Sequence, residues 1–205
     1  MSDALLWGLV ISALAVVVVR RRSVAIPLVA LQSLLLGGQA IGDAAGASSA
    51  LLVAGIVLLA KAIALPVLLG LVVARTREAA RIASERHPFL RLTVALAVSL
   101  ALVALVPPIG LKSAGVEHSA IGLVVLGIST AVVRRGAIFQ ALGFLVAENG
   151  LYLAALGARG GVPAFIELGL VFDLVVVVTV AGVFSAKIHE ELGTGDTSLL
   201  GGLRD

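Results

Sequence analysis

Lys61, Glu148 and Asp173 are ionisable side chains set inside long apolar runs. Each falls near the centre of its run, the three centres lying near residues 62, 147 and 175. Three separate segments therefore carry a charge at about the same depth. An Asp, Lys or Arg at the bilayer centre costs about 2.5–3.5 kcal/mol even on a lenient insertion scale, so such groups persist beside an opposite charge or along a hydrated path. Two readings follow. A lysine–carboxylate pair can tie helices together, although buried pairs often contribute no net stability. Alternatively, desolvation brings gain and loss of a proton within reach, which makes a proton or ion path. Lys61 has Glu148, Asp173 or a neighbouring chain as candidate partners.

Other polar residues surround these charges at helical spacing. Gln140, Phe144, Glu148 and Tyr152 recur every four residues and predict a polar seam along one face, with Asn149 beside it. Gly143 and Gly150 allow a second helix to approach closely, as small residues do in membranes. Gln32 and Gln39 are seven apart and share a face; they either extend the seam or bind neighbouring helices. Pro66 follows Lys61 closely and opens the backbone ladder there, leaving a hinge or a free carbonyl. Glu167, just after Pro163, suits a helix N-terminus.

No enzyme motif is present: there is no nucleophile elbow, P-loop or dinucleotide-binding glycine pattern. Cysteine is absent, which removes thiolate metal sites and disulfides, and His87, His118 and His189 are far apart. No metal or cofactor site is expected in this chain.

The elements that must hold these residues are membrane helices. Of the 205 residues, 60% are hydrophobic and 13% charged, and the mean hydropathy is +1.16. A soluble domain is about half apolar and about a quarter charged. The apolar runs are continuous, without strand alternation, and predict seven spans near 4–19, 24–42, 50–74, 92–109, 119–133, 137–157 and 164–186. The fold class is all-α, a polytopic transmembrane bundle filling residues 1–186, with 187–205 as a tail.

Charge placement supports that count. Of the 15 basic residues, Lys61 is buried in a span and only Lys112 and Arg159 fall on one side of the membrane. The rest, including Arg20, Arg21, Arg22, Arg134 and Arg135, fall on the other, which is cytoplasmic by the positive-inside rule. The N-terminus is then outside and the C-terminus cytoplasmic, in the cell (inner) membrane. The pI near 10 reflects this asymmetry; few aromatics accompany the arginines, so no nucleic-acid partner is expected.

Val16–Ile41 and Thr130–Ala154 echo each other. Each has an apolar run, a tight arginine turn, and a second run with amides or acids further on. Two related three-helix modules (about 4–74 and 119–186) joined by the 92–109 span would produce this echo. Low-complexity Leu/Val/Ala sequence produces it as well.

At Val132–Asn149 the sequence VVRRGAIFQALGFLVAEN resembles the K-type subunit of respiratory complex I and the C-type subunit of Mrp cation/proton antiporters. Gly143 and Asn149 match the family glycine and asparagine, while the family's mid-membrane glutamate falls on Leu145, with Glu148 one turn later. With extra helices before that half, the chain looks like component E of hydrogenase-4. The resemblance implies a non-catalytic membrane subunit of a group 4 nickel–iron hydrogenase, formate hydrogenlyase or complex-I-like assembly. It would sit in the bilayer among antiporter-like and hydrogenase-like subunits and carry part of a charged axis for proton or cation translocation. Nickel–iron and iron–sulfur centres would belong to those partners. An Mrp-type antiporter component and a purely structural anchor are the alternatives.

Overall fold

The computed structural model describes residues 1–44, 49–76, 88–134 and 137–158. Within them the chain is all helical, with six helices: α1 (Asp3–Val18), α2 (Arg22–Ala44), α3 (Ser49–Thr76), α4 (Pro88–Leu105), α5 (Ala114–Val133) and α6 (Ala137–Gly157). The expected seventh span, with Glu167 and Asp173, and the tail lie outside the described residues. Three of the helices, Arg22–Ala44, Ala114–Val133 and Ile138–Gly157, are long and apolar enough to cross a membrane. Asp3–Val18, Leu51–Val67 and Leu92–Leu105 are shorter apolar helical stretches. Large apolar side chains stand exposed on the outer faces, among them Ile56, Ile63 and Val67 of α3 and Leu100 of α4. A bilayer accounts for such faces.

Two boundaries differ from the apolar pattern, each for a local reason. Helix α4 covers Pro88–Leu105 rather than 92–109. Pro88 fits a first helical position, where no N–H is needed. Pro107 and Pro108 end the helix by removing donors and by forcing Val106 out of helical geometry. Helix α5 starts at Ala114 rather than 119, because Ser113 caps it: the Ser113 hydroxyl accepts from Val116 N at 3.3 Å. Glu117 and His118 thereby join the helix instead of the loop before it.

The helices alternate in direction between two ends. At one end the two arginine turns meet, with Arg134 Nη2 donating to Val19 O at 2.8 Å. At the other, Lys112 N donates to Gly157 O at 2.7 Å, joining the start of α5 to the end of α6.

Packing is closest where glycines remove side chains. Helices α5 and α6 lie backbone against backbone: a Cβ on Gly127 would strike Ala147, and one on Gly143 would lie 2.5 Å from Ala131 N. Gly150 is nearly as tight, 2.8 Å from Val124 N. Helices α2 and α3 pair in the same manner: a Cβ on Gly55 would lie 3.1 Å from Gly37 O. Helix α1 lies against α5 and α2, α2 also packs on α6, and α4 covers α5. Among the described helices the result places α6 innermost. Its span is 78% buried against 39% for α2, and Glu148 and Asn149 on it are hidden from lipid.

Replacing Gly143 with leucine should drive α5 from α6 and destabilise the protein by more than the about 1–3 kcal/mol of ordinary overpacking. Gly8→Ala, in open space, should be neutral. Thermal unfolding in mild detergent checks both.

Candidate functional site

Glu148 and Lys61 meet inside the bundle. The Lys61 ammonium pairs with Glu148 Oε2, and their side chains are 7% and 0% exposed. Lys61 Nζ also lies 5.7 Å from the centroid of the buried Tyr152 ring. That ring is one helical turn beyond Glu148, so one face of α6 presents both a carboxylate and a π-cloud to the cation. Lys61 was open to three partners on sequence; its partner among the described residues is Glu148.

The adjoining residue on α6 serves a different neighbour. Asn149 is rotated about 100° from Glu148 and is fully buried. Its Nδ2 donates to Gln32 Oε1 at 3.2 Å, and its Oδ1 accepts from Ser33 Oγ at 3.1 Å. Gln32 Nε2 donates in turn to Ser12 Oγ at 2.9 Å and to Leu9 O at 3.2 Å. The Ser12 hydroxyl donates to Leu9 O at 2.8 Å. One layer of polar contacts thus links α1, α2 and α6, and the ion pair extends it to α3.

Helix register explains why the layer is level. Gly37 abuts Leu59, and Gly55 abuts Ile41. In the antiparallel α2–α3 pair this brings Ser33 opposite Lys61. Gln32, Ser33, Lys61, Glu148 and Asn149 all lie near the middle of their helices. Hydrogen bonding in such a layer removes the cost of burying bare amides in hydrocarbon.

The other expected residues separate. Gln39 Nε2 donates to Asp43 Oδ1 at 2.8 Å within α2 and does not extend the layer. Gln140 is half-buried, about 12 Å along α6 from Glu148, so the expected seam is drawn together at Glu148 and Tyr152. Asp173 lies outside the described residues. Leu145, where the resemblance sets a glutamate, is a buried leucine at 1% exposure.

Sequence reasoning missed Ser12 and Ser33, which carry no motif and become legible only once α1, α2 and α6 are packed. It treated Arg22 and Arg134 as loop charges, yet both are buried. The Arg134 guanidinium stacks 3.7 Å from the Phe139 ring centroid while capping α1. Glu117 was also missed; its carboxylate accepts from Ile109 N at 2.7 Å and Leu111 N at 3.4 Å, pinning the turn where Gly110 adopts φ +84°. A serine four residues before an acid, after a double proline, was the available signal. Lys112 Nζ donates to Leu156 O at 2.9 Å and satisfies a carbonyl at the end of α6. Among the described residues, no group of acids and histidines is arranged to hold a metal ion.

The chain is 31% identical over 165 residues to the uncharacterized protein Rv0085 of Mycobacterium tuberculosis, covering 76% of this chain and 74% of that protein. The chain belongs to the family of that mycobacterial protein. No family model matches it, and no solved structure does.

Asn149→Leu takes the donor from Gln32 Oε1 and the acceptor from Ser33 Oγ inside the bundle and should destabilise the protein by about 1–3 kcal/mol. Ser33→Ala removes one bond and should cost about 0.6 kcal/mol, typical of hydrogen bonds between membrane helices. Unfolding of the detergent-solubilised variants measures both.

Proposed function

We propose that this chain is a non-catalytic membrane subunit that conducts protons or cations through the Lys61–Glu148 pair. The observation that carries the reading is that pair itself, with Glu148 fully and Lys61 almost fully withdrawn from solvent, level with the polar layer that links α1, α2 and α6. A carboxylate beside an ammonium there can lose its charge when a proton arrives and regain it when the proton leaves. The aromatic face of Tyr152 holds the cation meanwhile.

The reading takes the chain as a seven-span bundle with its N-terminus outside and its arginine turns and C-terminus cytoplasmic. The meeting of both arginine turns at one end, through Arg134 and Val19, supports that orientation. Asp173 would join the pair from the seventh span. In line with the resemblance at Val132–Asn149, the assembly would be a group 4 nickel–iron hydrogenase or a complex-I-like complex, with its metal centres in partner subunits. Glu148 would then take the part of the glutamate that the resemblance sets at Leu145. One turn of helix separates the two positions, and both point inward.

The self-contained amide layer favours a second reading, in which these polar groups only fasten helices. On that reading Lys61 and Glu148 together tolerate apolar replacement with no loss beyond stability.

Glu148→Gln should leave the complex assembled and abolish ion coupling in membrane vesicles. Unimpaired pumping by that variant would remove the conduction role. Copurification in mild detergent should yield a large subunit carrying nickel and iron–sulfur centres; sodium- or pH-driven transport by the chain without any redox partner would select the antiporter alternative.

A further inference from the structure

The two ends of the bundle are built differently. At the arginine end, Phe139 is fully buried beneath the Arg134 guanidinium, Arg22 is buried at the start of α2, and Val17 and Ile138, close to these turns in the chain, are buried as well. Positive charge backed by apolar packing opposes the passage of a cation. At the opposite end a cavity of about 530 Å³ opens between Met1, Asp43, Leu51, Lys112, Ser113 and Val116, room for on the order of ten waters.

A polar stripe descends from this cavity along α2. Asp43, Gln39 and Gln32 fall at helical offsets that keep them within about 20° of one face. Asp43 and Gln39 are half-buried and hydrogen-bonded to each other, while Gln32 belongs to the mid-bundle layer. The stripe therefore runs from the cavity wall to the level of the ion pair, about 16 Å below. Leu36, between Gln39 and Gln32 on α2, and Leu58, set beside it by the Gly37–Leu59 register, are both fully buried and interrupt the stripe.

We propose that the cavity beside Asp43 is the aqueous mouth through which protons reach the Lys61–Glu148 pair, from the end opposite the arginine turns. The proposal rests on the conduction reading above. Hydronium in the cavity delivers its proton across the Leu36–Leu58 layer when water wets it. The Glu148 carboxylate becomes a carboxylic acid, one water molecule is released, and Lys61 stays an ammonium. Gln39 donates to Asp43 and holds that carboxylate on the cavity wall, where it offsets the Lys112 ammonium.

The chain has no cysteine, so single cysteines report access against a silent background. In membrane vesicles of known sidedness, a small cationic thiosulfonate reagent is added from either side. Arg21→Cys marks the arginine end and Ile63→Cys the lipid face. Asp43→Cys and Gln39→Cys should react from the outer side about tenfold faster than Ile63→Cys, because a thiolate forms readily only in water. Leu36→Cys should react more slowly, and Leu142→Cys should stay silent from the arginine side. Reaction of Gln39→Cys no faster than Ile63→Cys overturns the proposal, as does reaction of Leu142→Cys from the arginine side. Outer-side labelling of Gln39→Cys combined with normal pumping by Glu148→Gln would instead sink the conduction reading, leaving a water cavity without a cargo.

Discussion

Hydrocarbon cannot solvate an ion, and that constraint organises the molecule around Lys61 and Glu148. A carboxylate placed on α6 must be met by a cation, and the cation must come from a helix that can hold it at the same height. Helix α3 packs along α2, and its long lysine stem carries the charge across to α6. The pairing then limits how far α3 can slide along α2. The contacts of Gly37 with Leu59 and of Gly55 with Ile41 fix the same register from the apolar side. Electrostatics and packing thus specify one alignment.

Close approach of the α5 and α6 backbones is the second requirement. With glycine at positions 127, 143 and 150, α5 shields one side of α6. Helix α2 then shields the side that bears Asn149, and the acid is left facing α3. A bulkier contact surface would open a gap beside a buried carboxylate. Water would fill that gap and weaken the field that makes the pair useful. The terminal fastenings serve the same end: Arg134 to Val19, Lys112 to Leu156 and Glu117 to the Ile109 turn tie the helix ends together on either side of the polar layer.

Much of this was legible in the residues. The hydrophobic runs located all six described helices, because a membrane helix is specified by composition along its length. Lys61, Glu148, Asn149 and Gln32 stood out because polar side chains in such runs need a reason. Which of them would touch was not legible. Gln32 joins the layer and Gln39, on the same face of α2, does not, because Asp43 lies one turn further on and takes its amide. Ser12 and Ser33 gained roles from neighbours far away in the chain. The start of α5 was misplaced because a cap at Ser113 and a carboxylate turned back onto a loop outweigh hydropathy over a single turn. Arg22 and Arg134 behave as topology signals and as buried fastenings at once, and composition reveals only the first.

The central claim is that Lys61 and Glu148 interact directly at the middle of the bundle. A double-mutant cycle on Lys61→Met and Glu148→Leu, read as unfolding free energy in mild detergent, tests it most directly. Each single change strands one buried charge and should cost about 3–5 kcal/mol, while the double variant should recover most of that loss. Strictly additive losses, with the double variant as damaged as the sum of its parts, would mean that the two side chains do not meet.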